Sequence, residues 1–322
     1  MSASVPYHLR TNKAIDRSIF FDFLSHFRFR HPIQDYKYYS LGGPTLEDHH
    51  ALHKLFGLTK LFSIERDGSV YSRQVFNKSY NCINCEEGDL GKFIDGFERD
   101  SSTVFWLDYT DTKWSKQLIE FSTLVSKLDS FDVVKLTINA NPDAINGIDE
   151  EKLEGFRQKA GGKYFNENVL HTHISAMPKF AEVLVEMIQA AADDALLCCD
   201  DIDFFPVNVF RYIDNKHQML SVTGIILPTD SDINEYFSDS HADVKDYIST
   251  SWRDIQEIGV PDLSPRERHE IEKLLPINEE NIDKVIEELP FRLNRNQRKS
   301  KDIVRKYAKY YRHIPSFHRV IV

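Results

Sequence analysis

Cysteine is scarce in this chain: four in 322 residues, too few to staple a fold of that size with disulfides. Glycine and proline number only 13 and 12, which excludes collagen-like and low-complexity chains. No apolar run approaches the roughly 20 residues that a bilayer crossing takes. The best stretch, Ala181–Cys199, is broken by Glu182, Glu186, Asp193 and Asp194. The opening Met1-Ser2-Ala3-Ser4-Val5-Pro6-Tyr7-His8 lacks the basic-then-apolar order of a secretory signal. No G-x-S-x-G elbow and no G-x-x-x-x-G-K phosphate loop is found. The expectation is a soluble, cytoplasmic globular chain with no membrane role. What is present fits it: 41% hydrophobic and 28% charged residues, with a length that allows one large domain plus appendages.

Charge is unevenly spread. The chain carries −10 formally, yet residues 291–322 hold ten Lys or Arg against the single acid Asp302, leaving −19 for the remainder. The basic residues are Arg292, Arg295, Arg298, Lys299, Lys301, Arg305, Lys306, Lys309, Arg312 and Arg319, interleaved with Tyr307, Tyr310, Tyr311 and Phe317. Such a stripe suits a phosphate backbone, although the acidic whole weighs against nucleic acid. The plainer reading is a surface helix with its tyrosines turned inward and its basic face on acidic neighbours. The helical C-terminal region is also a candidate surface for a protein partner.

Periodicity organises the rest. Ile15, Ile19, Phe20, Phe23 and Phe27 form a helical stripe near the N-terminus. Tyr36–Leu41 reads as a strand running into the turn Gly42-Gly43-Pro44. A helix follows to Phe56, with Thr45 as expected N-cap and Gly57 as stop. Leu61–Ile64, Cys82–Cys85, Thr103–Leu107 and Asp132–Ile138 read as strands, with helices over 69–80 and 115–128. The alternation of strand and helix predicts an α/β fold, Rossmann-like and doubly wound, with a mostly parallel sheet. Pro206–Ile213 and Met219–Leu227, around Asp214-Asn215-Lys216, predict a closing antiparallel hairpin. The expected boundaries are a helical segment at 1–35, the α/β domain at 36–228 with a helical insertion at about 142–203, and a mainly helical region at 229–322.

In open parallel sheets, ligands bind outside the carboxyl ends of the strands. Gly42, Gly43, Glu65, Asp89 and Asp108 all fall at such ends. The glycine turn lets backbone approach a ligand at a helix start. Glu65 lies 22 residues past Gly43, near the offset of roughly 20 at which an acid reaches ribose hydroxyls. Gly88-Asp89 places a carboxylate where an adenine amino group would be met. A dinucleotide site would want G-x-G-x-x-G, but Pro44, Thr45, Leu46 and Glu47 follow Gly43. A cofactor bearing a sulfonium and an ammonium group tolerates the acids Glu47 and Asp48 at that helix start.

On these residues the chain resembles the class I S-adenosylmethionine-dependent methyltransferases over about residues 36–227. The strings Tyr39-Ser40-Leu41-Gly42-Gly43, Leu61-Phe62-Ser63-Ile64-Glu65 and Leu107-Asp108-Tyr109 resemble bacterial O-methyltransferase-like proteins in particular. Its glycine turn carries two glycines and a proline where the superfamily usually has G-x-G. The resemblance implies S-adenosylmethionine as cofactor, with Leu41, Gly42, Gly43 and Pro44 around its methionine moiety, Glu65 and Arg66 at the ribose, and Gly88 and Asp89 by the adenine. It places Asp108 and Tyr109 at the methyl-transfer centre, where Asp111 joins them as a candidate to orient or deprotonate the acceptor. No acceptor is implied.

Other constellations carry less. His49 and His53 lie one helical turn apart and His171-Thr172-His173 form a second pair, but neither has a metalloenzyme pattern, and no metal is expected. Cys82, Cys85, Cys198 and Cys199 read as free core thiols, with Cys82 and Cys85 sent to opposite faces by strand alternation. Asp111 could equally cap the helix that follows it, and His50 could pair with Glu47. Two other functions remain open: a catalytically inactive methyltransferase-like subunit of a larger complex, and a nicotinamide-dependent dehydrogenase, which the missing third glycine weakens.

Overall fold

The computed structural model describes residues 10–237, 246–261 and 263–315. Arg319 and Phe317 of the basic stripe lie outside them. The chain divides into two compact units. The larger runs from Ile19 to Arg211 and from Lys216 to Gln256, and it contains all the strand-end residues singled out above. The smaller takes the chain up to Ser18, Tyr212–Asn215 and everything from Glu257 onward.

Strand and helix alternate along the chain. β1 (Lys37–Ser40), α2 (Glu47–Phe56), β2 (Lys60–Glu65), α3 (Gly68–Asn77), β3 (Ile83–Glu87), α4 (Leu90–Gly96), β4 (Thr103–Asp108), α5 (Trp114–Val125) and β5 (Val133–Asn139) follow α1 (Thr11–Phe27). Next come α6 (Asp149–Ala160), α7 (His171–Ser175) and α8 (Met177–Leu196), then β6 (Ile202–Asp214), β7 (His217–Pro228), the short α9 (Ile233–Tyr236) and β8 (Ile255–Ile258). Of these, α1, β6 and β8 each lie partly in the smaller unit. The sheet order is β3-β2-β1-β4-β5-β7-β6-β8. β1 pairs in parallel with β2 and β4, as do β2 with β3 and β4 with β5, whereas β5 and β7 are antiparallel. Chain order reverses beside β1, between β2 and β4, and a doubly wound sheet opens a crevice at such a point.

Both faces of the sheet are covered, so its central strands are apolar on both sides. Phe105, Leu107, Val134 and Leu136 face a core filled by Leu118 and Phe121 of α5 and by Leu184 and Ile188 of α8. Val104, Trp106 and Val133 face the opposite core, closed by Phe20, Phe23 and Leu24 of α1 and Leu52 of α2. At the base of the central strands, the fully buried carboxylate of Asp132 accepts the Thr103 and Asp129 backbone N–H groups at 2.8 and 3.0 Å and the Arg99 guanidinium at 2.6 Å.

The smaller unit holds α10 (Pro265–Glu272), α11 (Ile282–Glu288) and α12 (Gln297–Tyr310), with α11 packed against α12. Ser264 and Glu267 form a reciprocal capping box at the start of α10. α12 buries Val304, Tyr307 and Tyr310, and the Tyr307 hydroxyl donates to Glu272 at 2.7 Å.

Several local expectations need correction. Thr45 does not cap α2: the N-cap is Leu46, in left-handed conformation and without a side-chain cap bond. Leu46 is fully buried in the core beneath the sheet, so apolar burial displaces the polar cap and the helix starts later. The segment between β3 and β4 holds a helix, α4, that only seven residues and two glycines had concealed. β8 is a strand in a region read as helical. Cys198 and Cys199 are exposed rather than core residues. Cys82 and Cys85 pack on the same core cluster, because Cys82 precedes β3 and strand alternation does not apply to it.

Candidate active site at the carboxyl ends of β1 to β4

The turn after β1 is built from beneath. Gly42 and Gly43 have φ of +70° and +56°, which glycine alone adopts freely. A Cβ on Gly42 would lie 2.6 Å from Ser63 Oγ and 2.9 Å from His49 Cε1. The fully buried Gln74 of α3 donates from Nε2 to the carbonyls of Leu41 and Gly43 at 2.8 and 3.0 Å. Ser63 Oγ lies 3.1 Å from the Leu41 carbonyl and 3.0 Å from Gln74 Oε1. The Gln74 side chain thus ties the half-buried carbonyls of the turn to α3.

Glu65 closes β2. Its Oε1 accepts the Asp67 backbone N–H at 2.8 Å, which sets the carboxylate's direction. Burial raises its pKa, and the hydrogen bond from Asp67 pulls the other way. Asp67 caps α3 through the N–H groups of Ser69 and Val70. Asp89 is the N-cap of α4 and accepts the Lys92 N–H. It also meets the Lys116 ammonium at 3.1 Å, and that hydrogen bond lowers its pKa.

Asp108 ends β4, and the Tyr109 N–H is held by the Thr137 carbonyl of β5 at 2.8 Å. The Tyr109 hydroxyl donates to Glu120 at 2.6 Å, and Lys116 lies 3.3 Å from the other Glu120 oxygen. Burial first, then the Glu120 charge, pushes the Tyr109 pKa well up, so this phenol stays protonated at neutral pH. Asp111 accepts Gln117 Nε2 at 2.6 Å; it does not cap α5, whose N-cap is Lys113.

These groups surround one cavity of about 220 Å³. Among the sequence candidates Leu41, Glu65, Arg66, Gly88, Asp89, Asp108, Tyr109 and Asp111 line it, while Gly42, Gly43 and Pro44 are not among the lining residues. Lys116, Gln117 and Glu120 of α5 also line it, and sequence reasoning passed them over. Their one signal was polarity on a helix face otherwise given to Leu118, Phe121 and Leu124. A neighbouring cavity of about 680 Å³ shares Asp89, Lys113, Lys116 and Glu120 with the first, so the Asp89–Lys116–Glu120 bridge lies in their common wall.

The histidines go elsewhere. His49 is fully buried under the glycine turn and its Nε2 donates to the Phe62 carbonyl at 3.0 Å. His53 Nδ1 lies 2.8 Å from the Leu58 carbonyl, and His50 Nε2 accepts the Ser79 N–H. His171 sits 2.9 Å from Glu150, and His173 accepts the Leu170 N–H. Among the described residues no group of three His, Cys, Asp or Glu gathers in a metal-binding arrangement.

Two features bear on whether an adenosine-type cofactor fits. A Cβ placed on Gly88 would meet no atom within 4 Å, so the wall beside Asp89 is open. The Oε1 of Gln117 is buried with no hydrogen-bond partner, an unmet acceptor at the cavity's edge. The donor set matches the ligand too: half-buried carboxylates suit ribose hydroxyls, an exocyclic amine and a cationic sulfonium.

A family model described as "Putative O-methyltransferase" matches residues 5–322. No curated protein matches the chain. Among solved structures, the chain is similar to Trm1 from Pyrococcus horikoshii, with 11% identity, 66% of this chain and 54% of that chain covered, and a TM-score of 0.43. It is similar to the plantazolicin methyltransferase BamL at 11% identity, covering 66% of this chain and 85% of that one, with a TM-score of 0.42. A third is the Methanococcus jannaschii fibrillarin pre-rRNA processing protein, at 13% identity, 60% and 66% coverage and a TM-score of 0.37. Likeness at these scores says nothing about cofactor or acceptor.

Proposed function

Because the chain belongs to this O-methyltransferase family, matched over residues 5–322, we propose that the cavity at the ends of β1 to β4 holds S-adenosylmethionine for methyl transfer to an acceptor oxygen. The observation that carries the reading is the convergence of Glu65, Asp89, Asp108 and Tyr109, from three successive strand ends, on one cavity. When bound, the cofactor supplies an electrophilic methyl group on a sulfonium sulfur.

The chain's own residues then bind and orient. Glu65, aimed by the Asp67 N–H, accepts the ribose hydroxyl protons. Asp89 accepts from the adenine amino group, exchanging part of its contact with Lys116. Gln117 Oε1 gains the donor it lacks. The cavity's 220 Å³ falls short of the roughly 300 Å³ at which small-ligand sites begin; swinging Lys116 out of the common wall joins it to the space beyond. Asp108 and Asp111 are the groups placed to orient an acceptor hydroxyl or take its proton. Tyr109, locked to Glu120 as a neutral phenol, holds shape rather than a proton in transit. The free thiols support work in a reducing compartment such as the bacterial cytoplasm.

Calorimetric titration with S-adenosylhomocysteine tests this. One molecule binds per chain, and Glu65→Ala weakens binding roughly 10-fold to 100-fold, as loss of charge-assisted hydrogen bonds would. Absence of binding at millimolar ligand, or unchanged affinity in the variant, overturns the reading.

A further inference from the structure

The basic stripe near the C-terminus separates, in the structure, into two halves that behave differently. The later half is neutralised inside its own unit. Lys301 meets Asp283 at 2.7 Å, Arg305 meets Glu279, and Lys306 meets Glu257 at 2.9 Å and Asp302 at 3.1 Å. The earlier half is not. Arg292, Arg295, Arg298 and Lys299 are all exposed, and none makes a side-chain hydrogen bond, ion pair or ring contact among the described residues. No acid stands between Glu288 and Asp302. The first turn of α12, where an acid would be favoured, holds Arg298 and Lys299 instead.

We propose that Arg292, Arg295, Arg298 and Lys299 form a binding surface for the phosphodiester backbone of a nucleic acid. Like charges gathered within eight residues repel one another unless anions come between them. Three of the four are arginines, whose planar fork binds phosphate oxygens in pairs. Their neighbours Asn294, Asn296 and Gln297 are exposed amides, able to add hydrogen bonds to phosphate and sugar oxygens. A protein partner would want an apolar or aromatic anchor, yet none of the large exposed hydrophobic side chains lies in this segment. Tyr307 and Tyr310 are buried and unavailable for stacking on bases, so recognition rests on the backbone and is independent of sequence.

The surface shares no residue with the methyl-transfer cavity, and phosphate binding there does not require the cofactor. Its test is fluorescence anisotropy of the full chain with a labelled 20-base-pair RNA duplex, the same sequence as DNA, polyglutamate, and anionic phospholipid vesicles, over a salt series. Four phosphate contacts give a slope of log affinity against log salt of about −3.6, so a fourfold rise in salt weakens duplex binding roughly 150-fold. Replacing Arg292, Arg295, Arg298 and Lys299 with Ala abolishes that slope, while Lys301→Ala with Arg305→Ala leaves it in place. Each variant keeps the wild-type circular dichroism spectrum. Binding to either duplex with these properties supports the proposal, and the ratio between them shows whether the sugar matters. No duplex binding at 50 mM salt, binding the four-residue variant retains, or tighter binding to polyglutamate or vesicles overturns it.

Discussion

His49 is an imidazole sealed under the glycine turn, and burial lowers its pKa from the ordinary 6.5 to about 4. The folded chain therefore keeps it neutral while the unfolded chain protonates it below pH 6.5. Its contribution to stability is complete above that pH and is lost as pH falls from 6.5 towards 4, by at most about 3 kcal/mol. Denaturant titrations at pH 7.5, 5.5 and 4.5 check this: His49→Leu shows a flatter decline than the wild type, and parallel declines would refute the assignment. Gly42 makes the second demand at this scale. Gly42→Ala meets both a left-handed φ and contacts with Ser63, Leu46 and His49, so a loss of about 2 kcal/mol is expected in the same experiment. Both residues belong to the turn's foundation. A sequence could suggest the glycine, but the histidine beneath it was visible only as one of a pair on a helix.

At the scale of elements, the strand ends were legible because parallel strands write themselves as short apolar runs. Leu61–Ile64 needed one residue more at each end to become β2, and Thr103–Leu107 one more at its C-terminal end to become β4. The acids that end them, Glu65 and Asp108, were readable for the same reason. What connects the elements was not. Gln74, which ties α3 to the turn after β1, is an ordinary polar residue on a helix until the turn's carbonyls are seen above it. Glu120 hides among the apolar positions of α5 because Tyr109, whose hydroxyl it accepts, lies outside the helix and only folding brings the two near, whereas Lys116 is its i, i+4 neighbour on the same helix. Asp132 shows how such ties carry stability. Arg99→Ala leaves its fully buried carboxylate with two backbone donors and no cation, and a loss of about 3 kcal/mol is expected. Arg99→Ala combined with Asp132→Asn should cost less than the sum of the single changes; strict additivity in the double-mutant cycle would deny the coupling.

Over the whole molecule, no helix of the described residues is long and apolar enough to cross a membrane, and the four cysteines are free. A reductant should leave the thermal midpoint unchanged; a fall would reveal a disulfide. The family match spans nearly the entire chain, so the helical units outside the sheet belong to the family's design as much as the sheet does. Their basic surface was legible as composition, but which cations were already neutralised required Glu279, Asp283 of α11 and Glu257 of β8 to be placed around α12.

Methyl transfer here rests on Glu65, Asp89, Asp108 and Tyr109 bounding one cofactor cavity. A crystal structure with S-adenosylhomocysteine addresses it most directly. Ligand density is expected with the ribose at Glu65, the adenine at Asp89 and the sulfur towards Asp108 and Tyr109, with Lys116 displaced. Density lodged elsewhere, or a ligand reaching none of these side chains, would contradict it.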